Sequence, residues 1–239
     1  MGKPDIIYED NDIIVCYKPA GIATQTRRIG QQDMESFIRN YRAAKNEPPY
    51  VGIVHRLDQP VEGVMVFAKN QKAAASLSRQ IKEHTTEKYY RAASRGQGVS
   101  GADKEEDNKE DNHDPAWHTL TDYISFDKRT NTSKITSEKD RLAKKAVLQY
   151  RILSNECNKT EFDIKLLTGR HHQIRLQLAN IGYPLIGDTK YGKPASNNSG
   201  TGSKSGRTGG GVREQLALCS YKLVFDHPAT GERMTFELP

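Results

Sequence analysis

Cysteine, tryptophan and long apolar runs are scarce in this chain. Three cysteines and one tryptophan occur in 239 residues. Cys16, Cys157 and Cys219 are odd in number, far apart and free of any C-x-x-C spacing, so neither a disulfide framework nor a zinc knuckle is indicated. That usage fits a reducing compartment, and a cytoplasmic location is expected. No stretch approaches the roughly 20 apolar residues of a membrane-spanning helix. Residues 1–12 (MGKPDIIYEDND) carry charges where a signal peptide needs an apolar run. No P-loop, G-x-S-x-G or H-E-x-x-H occurs. Gly200-Thr201-Gly202 lacks the strand before it and the helix after it that a dinucleotide loop requires. Neither a metal, a cofactor nor a membrane is an expected partner.

Hydrophobic residues make up 35% of the chain, low for a packed enzyme, and two polar tracts explain much of the deficit. Residues 101–114 (GADKEEDNKEDNHD) hold seven acids and two lysines, a contribution of −5 to the total of +6, which leaves +11 on the rest. A basic body of this kind fits an anionic partner bound through phosphates, although a generic basic protein has the same charge. Residues 192–211 (GKPASNNSGTGSKSGRTGGG) are Gly/Ser-rich and almost without apolar side chains, so a flexible loop is expected there.

The remainder alternates strand-like and helix-like segments. Strands are expected at 5–8, 13–17, 51–54, 64–68, 88–93, 117–126, 145–153, 160–167, 216–225 and 234–238. Residues 33–45 predict a helix capped by Asp33, with Phe37, Ile38, Tyr41 and Ala44 on one face. Further helices are expected at 73–81 and 171–180. Many strands with few helices indicate an α+β domain with a largely antiparallel sheet, here over residues 1–239 with insertions at about 98–114 and 193–211 and no internal repeat. A monomer is expected.

Three blocks carry chemistry. Residues 54–69 (VHRLDQPVEGVMVFAK) place His55-Arg56-Leu57-Asp58 between two β-like runs, with Pro60 and Gly63 shaping the loop; taken alone, this is a solvated turn. Residues 87–92 (EKYYRA) interleave aromatics with cations, which suits stacking a base beside a phosphate, although an ordinary strand would look the same. Residues 166–175 (LLTGRHHQIR) lead from a strand through Thr168-Gly169 into a helix start crowded with Arg, His and Gln, an anion site by its free amides and cations. The run continues to 183–192 (YPLIGDTKYG). With Ile174 facing the core, Arg175 lies on the next side and reaches across the cleft. His171 and His172 invite a metal reading, but adjacent helical residues point roughly 100° apart and share no face.

In this order, and together with the N-terminal YEDND-IIVCYKPAG run and the C-terminal LALCSYKLVFDHPATGERMTFELP, the blocks resemble the RluA family of pseudouridine synthases. The likeness covers almost the whole chain outside the two polar tracts. Departures are Val61-Glu62-Gly63, where the family often has Thr-Ser-Gly, and His171, where Thr is common. The resemblance implies a pseudouridine-synthase-like mixed, largely antiparallel sheet flanked by helices. It implies the form without the S4 domain of many relatives, since the pattern begins at residue 5. The implied activity is isomerisation of specific uridines to pseudouridine in structured RNA, transfer or ribosomal, by base flipping and without metal or redox cofactor.

On that resemblance Asp58 is the catalytic carboxylate, either adding covalently to the sugar or base or removing a sugar proton. Arg175 matches the arginine that pairs with it. Tyr90 matches the position whose ring packs on the uracil and whose hydroxyl assists proton removal at C5. His55 and Arg56 are expected to touch RNA, Arg56 filling the gap left by the flipped base. Lys88, Arg170 and His172 fit phosphate or structural contacts, and Ile174 and Leu176 line or support the pocket. Two other readings stand beside this one: a catalytically inactive RNA-binding relative or chaperone, and a glycoside or nucleoside hydrolase using Glu62 as a second acid.

Overall fold

Residues 13–16 and 64–68 are apolar without interruption, the pattern of strands buried on both faces, and they form two adjacent interior strands of the sheet. A computed structural model describes residues 3–26, 28, 30–95, 116–156, 158–192 and 214–239. The insertions expected at 98–114 and 193–211, and Cys157, lie outside the described residues. The chain forms β1 (Asp5–Glu9), β2 (Ile13–Lys18), α1 (Met34–Ala44), β3 (Gly52–Ile53), β4 (Glu62–Ala68), α2 (Gln71–Lys82) and β5 (Glu87–Ser94). It continues through β6 (His118–Asp127), β7 (Thr132–Thr136), β8 (Lys144–Glu156), β9 (Lys159–Leu166), α3 (Gln173–Asn180), β10 (Leu218–Asp226) and β11 (Arg233–Glu237). Among the described residues all strands join one sheet in the order β1-β2-β4-β10-β5-β9-β8-β6-β7, with β3 on β4 and β11 on β10. The β4–β10 pair is parallel and the other pairs are antiparallel. This is the α+β arrangement that the sequence indicates.

Strand alternation sorts the side chains onto two faces. Ile14 and Cys16 of β2, Met65 and Phe67 of β4, Tyr90 of β5 and Phe162 and Ile164 of β9 pack with Met34 and Ile38 of α1 and Ile174 and Leu178 of α3. Ile13, Val15, Val64, Val66 and Ala68 point the other way, to Ala73 and Leu77 of α2 and Phe225 of β10. Full burial of one such side chain contributes about 1.5–3 kcal/mol, so the two layers together hold β2 and β4 from both faces. Leu57, the neighbour of Asp58, belongs to the α1/α3 layer. That packing draws the His55–Asp58 loop onto this face.

Local signals explain the helix starts. Asp33 accepts the Ser36 amide at 2.8 Å while Ser36 Oγ accepts the Asp33 amide at 3.1 Å, the reciprocal cap that satisfies free donors. The buried stripe of α1 is Met34, Ile38 and Arg42, with Ala44 exposed, so the expected face is rotated. Arg42 is tolerated inside because its guanidinium donates to Lys69 O and Glu47.

Two elements differ from the sequence reading. β7 is a hairpin partner for β6, and its sequence TSKIT has too few apolar residues to show periodicity. α3 begins at Gln173 rather than His171, because His172 adopts a left-handed φ of 55° that interrupts a helix. Gln173 Oε1 then accepts from Thr168 Oγ1 at 2.9 Å and the Arg170 amide at 3.0 Å, which anchors the helix start from within. Elsewhere, Asp10, Asp12 and His227 converge. Asp10 already binds the Asp12 and Ile13 amides, and His227 Nε2 lies 2.8 Å from its second oxygen. This contact ties the β1–β2 turn to the C-terminal hairpin.

Gly63 is the tightest backbone approach near the site. Its φ is +135°, and a Cβ there would lie 2.3 Å from Ser220 O and 2.6 Å from Ser220 N on β10. Gly231, at φ +76°, has nothing within 4 Å. Gly63→Ala is therefore expected to cost more than about 3 kcal/mol in urea unfolding, because two paired strands must part. Gly231→Ala should cost only the left-handed backbone term, about 1–2 kcal/mol. Equal losses at the two positions would refute the steric account of Gly63.

Candidate active site

The Asp58 loop is clamped from beneath before any functional side chain is considered. Thr24 Oγ1 donates to Leu57 O at 3.0 Å and accepts the Leu57 amide at 3.2 Å. Gln59 O accepts from the Gly21 amide at 2.8 Å and from Lys18 Nζ at 3.2 Å. Lys18 is fully buried and also donates to Ile22 O and Pro19 O. Burial pushes its pKa down to about 8, against the opposing pull of Asp58 and Glu62. The Lys18–Ile22 turn thus fixes the main chain on either side of the carboxylate.

Arg175 comes to Asp58 from α3. Its Nη1 lies 3.4 Å from Asp58 Oδ2, while its Nε and Nη2 make a fork to Asp188 at 2.7 and 2.8 Å. The expected pairing with Asp58 exists, but the shorter, two-pronged partner is Asp188. Asp188 also accepts the Lys190 and Tyr191 amides at 2.8 and 3.1 Å, and Arg175 and these bonds pull its pKa down against burial. The side chain of Asp188 is 0% exposed and that of Arg175 5%, whereas Asp58 keeps 29%. Of the two carboxylates on Arg175, only Asp58 is open to a substrate.

His172 is the second neighbour of Asp58, with Nε2 3.4 Å from Oδ2. Tyr191 Oη accepts the Ser133 amide at 2.9 Å and lies 2.9 Å from His172 Nδ1. A carboxylate only accepts, so a neutral ring with its N–H on Nε2 suits Asp58 and leaves Nδ1 to accept from the Tyr191 hydroxyl. Burial, followed by nearby Arg175, pushes the imidazole pKa down to about 3, so this neighbour is neutral. Sequence reasoning gave His172 a phosphate or structural role and missed Asp188, Tyr191 and Ser133. Asp188 and Tyr191 do lie in the 183–192 run, but nothing in their spacing shows that they reach back to α3.

His171 and His172 precede α3, so the helical argument against their sharing a face does not apply. Their rings lie against each other, centroids 3.7 Å apart and tilted by 32°. Their nitrogens turn to different partners, His171 Nδ1 to Ser133 Oγ at 2.9 Å and His172 Nδ1 to Tyr191.

Tyr90 is buried beneath this cluster and hydrogen-bonds Ser220. Burial pushes its phenol up to about 12, and Asp58 adds to the rise. His55, expected at RNA, is instead committed to the fold: its Nε2 accepts the Val66 amide at 3.1 Å, in line with β3 on the edge of β4. Burial, with Lys88 nearby, pushes its pKa down to about 3. Arg56 is exposed and lines a cavity of about 290 Å³ with Gln25, Arg28, Gln31 and Gln59. Lys88 is half-buried, its ammonium facing Gly169, and burial lowers its pKa. Arg170 donates through Nε to Lys145 O at 2.8 Å, a structural contact. Ile174 is in the core beside Leu57 and Tyr90, whereas Leu176 is half-buried and outside that cluster.

Asp188→Asn would leave the Arg175 guanidinium buried without its main counter-charge. Its expected cost is about 3–5 kcal/mol in chemical denaturation. Tyr191→Phe removes one hydroxyl and should cost only about 0.5–1.5 kcal/mol. A loss below that of Tyr191→Phe in Asp188→Asn would show that this fork does not hold Arg175.

Comparison with known proteins agrees with the geometry. Residues 12–180 match the family described as RNA pseudouridylate synthase. The chain is 32% identical to the ribosomal large subunit pseudouridine synthase D of Neisseria meningitidis serogroup B over 98% of its own length and 58% of that protein's. It is also 32% identical to the synthase D of Vibrio parahaemolyticus, covering 98% of this chain and 66% of the relative. It thus spans less than two thirds of both. An uncharacterized RNA pseudouridine synthase of Bacillus subtilis is 31% identical over 100% of this chain and 69% of its own. Two solved human structures share the fold. RNA Pseudouridylate Synthase Domain Containing 1 has TM-score 0.68 and 24% identity, covering 99% of this chain and 83% of its own. Domain Containing 4 has TM-score 0.67 and 20% identity, covering 98% and 88%. With the match spanning the Asp58 loop, Tyr90 and the Arg175 helix alike, the chain belongs to the RNA pseudouridylate synthase family.

Proposed function

We propose that this protein isomerises uridine to pseudouridine in structured RNA, with Asp58 as its catalytic carboxylate. The observation that carries the reading is the asymmetry of Asp58. Both close neighbours, Arg175 and His172, meet Oδ2, and Oδ1 has no protein partner among the described residues. That oxygen is the one available to a flipped nucleotide. The reaction breaks the bond from N1 to the ribose C1′, turns the uracil and forms a bond from C5 to C1′. N1 gains a proton and the C5 proton passes to solvent. Extruding a base costs a few kcal/mol, and Arg56, exposed beside the loop, is placed to occupy the gap. Tyr90 supplies a ring for the uracil. Burial pushes its phenol up to about 12, so the ring meets the uracil as a neutral phenol.

The relatives named for the ribosomal large subunit favour ribosomal over transfer RNA as the substrate. The hydrolase reading loses its second acid, because Glu62 Oε2 accepts from Tyr17 Oη at 2.9 Å and Gln215 Nε2 at 3.1 Å. A merely RNA-binding relative has no use for a half-open carboxylate faced by a buried arginine that a second carboxylate holds in place.

RNA labelled with tritium at uracil C5 tests the proposal. Wild-type protein is expected to release tritium while the RNA keeps its mass. Asp58→Asn should lower release by at least about 10³-fold and still bind RNA. Release of free uracil would point to hydrolysis. Binding without release from any RNA would point to the chaperone reading.

A further inference from the structure

The β6–β7 hairpin contributes to the site in a way that no chemical step uses. On the α3 side of β6, Leu120 packs against the core, Asp122 accepts from Gln177 of α3 at 2.7 Å and Ile124 is buried. The same stripe ends at Phe126, which is 39% exposed and whose ring lies against His171, centroids 4.2 Å apart and tilted by 45°. His171 lies in turn against His172, centroids 3.7 Å apart and tilted by 32°, and His172 faces Asp58. A row of rings therefore runs from solvent to the catalytic carboxylate in two ring-to-ring steps.

Ser133, opposite Phe126 on β7, holds this row in place. Its hydroxyl proton goes to His171 O at 2.9 Å, so His171 Nδ1–H donates to Ser133 Oγ. Its amide donates to Tyr191. Lys190 Nζ donates to Asn131 O at the turn. The exposed end of the row is flanked by cations. Lys128 and Arg129 are exposed at the hairpin tip, Lys190 is exposed beside them, and Arg56 is close enough to act on His171. An exposed aromatic among cations, continuous with the site, matches a base with its phosphates.

We propose that Phe126, backed by His171, is a stacking platform for a nucleobase of the substrate RNA flanking the target nucleotide, with Lys128 and Arg129 taking adjacent phosphates. This rests on the RNA-isomerase reading for its setting, but its test does not depend on turnover. The probes are a twelve-nucleotide oligouridine and an abasic RNA of the same length. Phe126→Ala is expected to weaken oligouridine binding roughly 5- to 100-fold and to leave abasic binding unchanged, with Phe126→Trp restoring the wild-type value. Lys128→Ala/Arg129→Ala should weaken both probes alike and flatten the salt dependence. Unfolding curves for each variant show whether the hairpin is intact. Unchanged oligouridine binding by a folded Phe126→Ala, or an equal loss on both probes, would overturn the platform. Absence of tritium release by the wild type, with the base-dependent loss still present, would overturn the isomerase reading alone.

Discussion

The fork between Arg175 and Asp188 is the interaction on which the site depends. Three separate segments must meet around Asp58: the β3–β4 loop, the start of α3 and the turn at residues 188–191. Asp188 joins the last two by taking Nε and Nη2 of Arg175 and the amides of Lys190 and Tyr191 on one buried carboxylate. A buried ion pair adds little net stability, because desolvation offsets most of the attraction. Its contribution here is direction. With two of its nitrogens committed, Arg175 has Nη1 left, and that atom faces Asp58.

The charge inside is balanced and the charge outside is not. Arg175 meets both Asp58 and Asp188, and the buried Lys18 acts on Asp58 at longer range, while the intervening rings are neutral. His55 and His172 are held uncharged by burial, and Tyr90 keeps its proton. On the proposed function, a fixed, nearly neutral interior would leave the open oxygen of Asp58 as the group that meets the substrate. The exposed cations, Arg56, Lys128, Arg129 and Lys190, stand around the rim, where phosphates would lie. Attraction and chemistry are thus separated in space, the first sensitive to salt and the second shielded from it.

Much of this was legible in the sequence where side-chain pattern and backbone agree. The uninterrupted apolar runs at 13–16 and 64–68 announce the doubly covered strands, and Asp33 announces its helix. Asp58, Tyr90 and Arg175 were found through motif order, and the structure places all three on the same face of the sheet. What the sequence hid is long-range and polar. His55 looks like one more charge in a loop, yet it caps a strand amide 11 residues away. The left-handed turn at His172 resists detection because residues other than glycine adopt that conformation only rarely. β7 went unseen because its side chains work through hydrogen bonds, Ser133 above all, and hydrogen-bond partners leave no period in the sequence.

The two departures from the family pattern acquire different meanings in three dimensions. Val61 is buried in the core and Glu62 is bound to Tyr17 and Gln215, so that substitution is absorbed by packing behind the loop. Gly63, the one member of the triplet that is kept, is the one that the backbone of β10 leaves no room to change. His171 is another matter. A threonine at 171 would have no ring to lie between Phe126 and His172, and the row from the hairpin to Asp58 would be broken. Since neither substitution touches the open oxygen of Asp58, the chemistry is insulated from both. The wall beside it is not, and under the proposed function a change that spares the reacting atoms while rebuilding the adjoining wall would act on which RNA is accepted rather than on what is done to it.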